Sequence, residues 1–175
     1  MDWKRELVIA HLVKNKISEV DVDGLWENTL PEVAVSAEQL TSLEKVLGYH
    51  LDPQHRQFLL HANGWRAFMQ HVDVFGIDDF KGGGRAARAI ELIDSLEPLD
   101  SLCGYGKRDL VPVAVSSDDI DVFAMTRPHT AVPGQVFWFA GALIETFPCF
   151  EEWFLAMVDY NRKEYQRLVA AHAGA

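Results

Sequence analysis

Residues 36–80 read SAEQLTSLEKVLGYHLDPQHRQFLLHANGWRAFMQHVDVFGIDDF, and each boundary in this stretch has a local cause. Ser36 is a good N-cap, and Gln39 three residues later has capping-box spacing. Leu40, Leu43, Val46 and Leu47 then recur at three- and four-residue steps, so one helical face is apolar while Glu38, Glu44 and Lys45 point elsewhere. Gly48 follows the last apolar position, where a left-handed residue closes a helix. Asp52 and Pro53 start a second helix, because Asp caps free amides and Pro is preorganised for the first helical position. Its buried face continues through Phe58, Leu59 and Ala62. Asn63 and Gly64 tolerate positive φ and end it directly before Trp65. Two capped helices therefore run into a Gly-Trp turn and a short strand, expected at 71–76. Nothing in the stretch forms a catalytic constellation, which tilts the reading of function toward binding.

Outward from this segment, the pattern predicts a helix over 3–15 and a polar connection from Lys16 to Val35 containing Pro31. Lys81-Gly82-Gly83-Gly84-Arg85 reads as a flexible break, followed by a helix from Arg85 to Ser95 that Pro98 limits. Residues 110–115, 120–126, 135–140 and 142–147 are β-rich, and the last two form a hairpin. A long helix from Pro148 places Phe150, Trp153, Phe154, Met157 and Val158 on one face. Strands joined by short turns favour an α+β domain: a mostly antiparallel sheet of four to six strands, with the N-terminal, middle and C-terminal helices packed on one side. Trp65 is read as a core plug between helix and sheet. Alternation along Phe137, Trp138 and Phe139 buries two and exposes the middle one, or the reverse.

Length and composition agree with one globular unit: 175 residues, 49% hydrophobic, bury a sizeable core. No apolar stretch approaches the roughly 18 residues of a membrane span. The charged start Met1-Asp2-Trp3-Lys4-Arg5-Glu6 is unlike a secretory leader. Cys103 and Cys149 have no metal-ligand spacing and form no disulfide framework, which points to a reducing cytoplasm.

Charge is the more informative quantity. From Ser116 to Asn161 seven acids (Asp118, Asp119, Asp121, Glu145, Glu151, Glu152 and Asp159) face one base, Arg127, which gives −6 of the total −10. Such a field repels nucleic acid and anionic membranes and speeds encounter with a basic partner. The bland alternative is a surface kept soluble by solvated charge.

Several clusters resemble active sites and read better without chemistry. His50, His55 and His61 stand five and six residues apart, whereas a helical pair sharing a metal needs steps of three or four, so they are expected as surface histidines. The Gly82–Gly84 run lacks the full P-loop pattern and is expected as a loop rather than an anion cradle. Asp118, Asp119 and Asp121 lack the glycine and later glutamate of an EF-hand, which leaves a hairpin turn with an acidic tip. Ser116, Ser117 and Cys103 have no nucleophile setting. Glu151 and Glu152, adjacent on a helix, suit helix-start charge better than shared acid–base work. No catalytic residue, metal ligand or cofactor is expected.

The series Leu43, Glu44, Leu47, Gly48, Leu51, Pro53, Arg56, Phe58, Leu59, Asn63, Gly64 and Trp65 resembles the SUKH superfamily of SMI/KNR type, which includes the yeast cell-wall synthesis regulator and many bacterial immunity proteins. Two departures are visible: the proline arrives one residue late, as Leu51-Asp52-Pro53, and His55 stands where an aromatic is common. Phe147-Pro148-Cys149-Phe150-Glu151-Glu152-Trp153-Phe154-Leu155 is similar to the family's closing pattern, and Val111-Pro112-Val113-Ala114 to its central strand. The resemblance implies a SUKH-like domain over 36–172, preceded by an N-terminal helix and connection over 1–35. Leu47, Gly48, Pro53, Phe58, Leu59, Asn63, Gly64 and Trp65 form its structural signature. It further implies a non-enzymatic immunity protein that occludes a basic toxin, many of which are nucleases, or alternatively a regulatory module binding a cellular partner. On that reading Asp118, Asp119, Asp121, Glu145, Glu151, Glu152 and Trp138 are the candidate contact residues.

Overall fold

The computed structural model describes residues 1–173. In chain order the elements are α1 (Trp3–Val20), α2 (Ala37–Leu47), α3 (Pro53–Leu59), β1 (Trp65–Met69), β2 (Val72–Val74), α4 (Gly84–Asp94), α5 (Leu99–Cys103), β3 (Leu110–Ser116), β4 (Asp121–Thr126), β5 (Val136–Ala140), β6 (Leu143–Phe147) and α6 (Phe150–Ala173). The six strands form one sheet in sequence order, and every neighbouring pair is antiparallel. This is the expected α+β domain.

The deciding segment folds by the devices its residues announce. The Ser36 hydroxyl accepts from the Gln39 amide at 3.3 Å, and the Gln39 side chain accepts from the Ser36 amide at 2.8 Å, which completes a capping box. Gly48 closes α2 in the left-handed region at φ 75°. Asp52 accepts from the amides of Gln54 and His55, with Pro53 as the first helical residue. At Gly64 the backbone requires glycine twice over. Its φ is 87°, and a Cβ there would lie 2.7 Å from both the Gly76 nitrogen and the Val74 oxygen. The Asn63 carboxamide oxygen accepts from the Ile77 amide at 2.8 Å and binds the turn to the chain beyond β2. Phe58, Leu59, Gly64 and Trp65 are buried, Leu47 and Asn63 half-buried, and Gly48 and Pro53 exposed. Val46, expected on the apolar face, instead points to solvent.

The elements and their layering depart from the sequence reading in four places. Helix α1 runs five residues past its expected end, because Ile17 extends the buried face beyond Lys14. A strand begins at Trp65 itself, and the chain turns back between Met69 and Val72, which pair across the two residues Gln70 and His71. That turn carries no Asn-Gly or Asp-Gly signal, and Gln70 takes a positive φ of 47° unaided. The short α5 after Pro98 was not anticipated.

The fourth departure concerns layers. Helices do not share one side of the sheet. Trp3, Phe58, Phe150, Trp153 and Phe154 from α1, α3 and α6 pack with Phe68 and Phe123 on one face. Ala86, Ala89 and Ile93 of α4 pack with Val115, Val122, Ala124, Phe137 and Phe139 on the other. The long β2–β3 connection supplies this second cover. Strand β4 is consequently buried on both faces, and its run Val122-Phe123-Ala124-Met125 is continuously apolar instead of alternating. Pro112, which cannot donate to a ladder, sits where the β3–β4 register shifts between Pro112 and Ala114.

Candidate functional site

The β3–β4 turn and the β1–β2 turn lie side by side, because β2 pairs with β3 in a register that sets Val72 against Ser116. The Ser117 amide donates to the His71 carbonyl at 2.9 Å, tying the two turns together. Between them opens a cleft of about 300 Å³ lined by Gln70, His71, Ser116, Asp118, Asp119, Asp121, Trp138 and Tyr160. Four of the seven candidate contact residues therefore meet in one place.

Each side chain is held by a nameable contact. The Ser116 hydroxyl accepts from the Asp119 amide at 3.0 Å and lies 3.3 Å from an Asp118 carboxylate oxygen. The other Asp118 oxygen is 2.6 Å from His71 Nδ1. From the opposite face of the sheet, the Arg88 guanidinium donates to the backbone carbonyls of Ser116 and Asp119, both at 2.7 Å, and so braces the turn without neutralising its carboxylates at contact distance. The Trp138 indole N–H donates to Asp121 at 2.6 Å. Its ring stacks on Phe123 at 5.3 Å and meets Tyr160 edge-on at 6.1 Å. Trp138 thus links the core to the cleft: Phe137 and Phe139 are buried on the α4 face, while Trp138 is half-buried on the other.

The electrostatics follow from burial and crowding. Partial burial raises the Asp121 carboxyl above the usual carboxylate range; the Trp138 hydrogen bond draws it back, and the neighbouring Asp119 charge pushes it up again. Burial, with Glu164 and Asp121 nearby, likewise raises the Tyr160 phenol. Both shifts arise first from burial, with neighbouring carboxylates adding to them.

The remaining candidates divide. Glu145 is exposed on β6 directly across from Trp138 in the strand register, so it extends the acidic rim. Glu151 and Glu152 occupy the first turn of α6, nine and eight residues before Tyr160 and roughly 13 Å away along the helix. There Glu151 pairs with the N-terminal amine at 3.2 Å. Asp159 is taken up by Arg162 one turn along. The acidic segment 116–161 is therefore two separate clusters in space. His71 and Tyr160 were not singled out in sequence, and only the long-range fold brings them to Asp118 and Asp121; Ser116, weighed there only as a nucleophile, meets Asp118 and Asp119 through the local turn.

His55 needs a correction. It is fully buried, packed against Phe58, Phe80 and Phe150, whereas His50 is exposed. The signal was present: His55, Phe58, Leu59 and Ala62 fall at helical steps of three, four and seven, so the histidine belongs to the apolar stripe. The glycine run after Lys81 is closed by Asp79, which accepts from the Gly76 amide and from two Arg85 nitrogens, each at 2.9 Å. Among the described residues no three His, Cys, Asp or Glu side chains converge as a metal site, and no helix is long and apolar enough to cross a membrane.

The sequence model of the SMI1/KNR4 family (SUKH-1) matches residues 34–156, which include both helices of the deciding segment, all six strands and the start of α6. No curated protein matches the chain.

Proposed function

Because the chain belongs to the SMI1/KNR4 family (SUKH-1), we propose that it is a non-enzymatic protein-binding domain, and that it neutralises a basic toxin domain by covering its working surface. The observation that carries this reading is the acidic cleft. Asp118, Asp119 and Asp121 line one cleft with a half-buried Trp138, which Asp121 contacts directly, and Glu145 pairs across from Trp138 on β6. Carboxylates beside aromatic faces suit a lysine or arginine side chain, which gains charge pairing and cation–π contact together.

The mechanism divides into encounter and retention. A net charge of −10 draws a basic partner in and turns it toward the acidic turn. Retention depends on desolvated contacts around Trp138, since dissociation rates carry most affinity differences among related complexes. Nothing in this mechanism requires a bond to break, so the domain acts by occlusion alone, in the cytoplasm where such a toxin would act.

Co-expression with the product of the neighbouring gene tests the reading. We expect that product to arrest growth alone and to be tolerated when this protein is present. A neighbour that is harmless alone, or fully toxic in its presence, rules out immunity. Several weakly captured cellular proteins without a protection phenotype would place the chain with the regulatory members of the family.

A further inference from the structure

Helix α1 buries Trp3, Leu7, Ala10, Lys14 and Ile17 on one side. On the opposite side Arg5, Val8, Leu12, Lys16 and Glu19 fall within about 40° of one line along the helix, and all five are exposed. A solvent face is normally polar, yet Val8 is 59% and Leu12 54% exposed. Single exposed apolar residues need no explanation, but these two adjoin a groove between α1 and α6. Ile9, Leu12 and Val13 form its α1 wall, Arg162, Tyr165 and Gln166 its α6 wall, and the space between them is about 300 Å³. Val8, Ile9, Leu12, Val13 and Tyr165 thus make a continuous apolar patch of the kind that marks an interaction surface. Every residue lining the groove lies outside the 34–156 span of the family match.

The charges along the same line identify what covers it. Arg5 and Glu19 stand seven residues either side of Leu12, and Val8 and Lys16 stand four either side. A second α1 laid antiparallel on the first, with the two-fold axis at Leu12, sets each Arg5 against the second copy's Glu19. It also sets each Val8 against the aliphatic stem of the second copy's Lys16. Opposite charges at mirrored positions are what an isologous contact requires, since one surface must complement itself. Both charges are available for pairing: the Arg5 side chain is 73% exposed and comes only within 3.9 Å of Glu6, and Glu19 is exposed. The Lys16 ammonium lies 5.8 Å over the Tyr165 ring, which draws its charge toward α6.

A net charge of −10 opposes self-association in general, but α1 contributes none of it: Lys4, Arg5, Lys14 and Lys16 outnumber Glu6 and Glu19. Its 18 residues make α1 about 27 Å long. With α6 beside it, two helices each about 10 Å across present on the order of 500 Å² per copy. Two such faces come to roughly the 1,000 Å² at which specific interfaces begin, so the association is weak and reversible.

We propose that α1 and the adjoining part of α6 form a homodimer interface, with Leu12 of each copy seated against the other's groove and Arg5–Glu19 pairs closing both ends. The interface uses none of the acidic cleft's residues and stands apart from toxin binding.

Sedimentation equilibrium of the full chain, from about 1 to 300 µM, tests this, and we expect a monomer–dimer equilibrium with a dissociation constant in the micromolar range. Leu12→Gln should weaken it about tenfold. Arg5→Glu and Glu19→Arg should each weaken it several-fold, because each sets like charges together at both ends of the contact. The double variant should return to within about twofold of the wild type, and so should an equimolar mixture of the two single variants. A chain that stays monomeric at about 300 µM would overturn the proposal, as would a dimer indifferent to Leu12→Gln. So would charge variants that leave the affinity unchanged, or losses that the double variant does not restore. All three substituted positions are exposed, and the wild-type measurement stands whatever the variants do.

Discussion

At Asp121, burial between β4 and its neighbours raises the carboxyl, partly offset by the Trp138 N–H. A raised folded-state value means that this group's contribution to stability is full below the unfolded pKa and is lost as pH rises through the folded one. At neutral pH the ionised carboxylate is therefore a net cost. Asn keeps an oxygen for the indole, so Asp121→Asn should hold or slightly raise the melting temperature while slowing association with a basic partner several-fold, measured by calorimetry and stopped flow. His55 has the opposite sign. Its folded pKa, lowered by burial to about 3 from 6.5, gives a contribution present above pH 6.5 and lost as pH falls toward 3. The unfolding free energy from urea titration should drop across that window by an amount on the order of a few kcal/mol, and this part of the drop should be absent in His55→Leu. Trp65 was legible as core, and Trp138 as lying on the opposite face from Phe137 and Phe139, because alternation and capping are local; the sequence does not decide which of those faces is the more exposed. It hid the partnership of Asp118 with His71, which exists only once β2 and β3 are in register.

Elements join through a buried lysine. Lys14 of α1 reaches past the core and donates to the Glu27 carbonyl at 2.8 Å and to the Ala67 carbonyl, where the strand bulges at a φ of 46°. Together with the Trp65 indole bonded to the Thr29 carbonyl at 3.2 Å, this ties residues before the family match to the first strand inside it. Burial, opposed by Glu27, lowers the lysine pKa to about 8. With 10.5 as its ordinary value, the stabilising contribution is present above pH 10.5 and lost as pH falls through 8, so stability should climb between those values. Lys14→Met should remove that climb and cost about 1–3 kcal/mol for each carbonyl left unpaired, read from urea unfolding at pH 7 and 10. Gly64→Ala, strained in φ and in space, should cost at least about 1–3 kcal/mol in the same assay. The capped helices α2 and α3 were legible because their signals lie within a few residues. Strand β1 was not, since its turn lacks hairpin chemistry and its bulge is held by Lys14 and by Asp73, 53 and six residues away.

Across the whole molecule, charge sorts differently from how it runs along the chain. The six candidate acidic positions read as one segment, yet the fold sets Glu151 and Glu152 in the first turn of α6 and keeps Asp118, Asp119 and Asp121 in one cleft with Trp138. Helices on both faces bury the sheet, and the β3–β4 turn projects from the end of those strands, where its carboxylates face solvent. Association led by such a cluster weakens with salt, because exposed charges are screened beyond a Debye length of about 8 Å at physiological ionic strength. The most direct measurement is the association rate with the purified product of the neighbouring gene, taken across a salt series for the wild type and for a variant combining Asp118→Asn, Asp119→Asn and Asp121→Asn. We expect a fast, steeply salt-dependent wild-type rate and a variant at least tenfold slower at low salt with a shallow dependence. Equal rates and equal salt slopes for the two proteins would contradict the assignment of the acidic cleft as the binding surface.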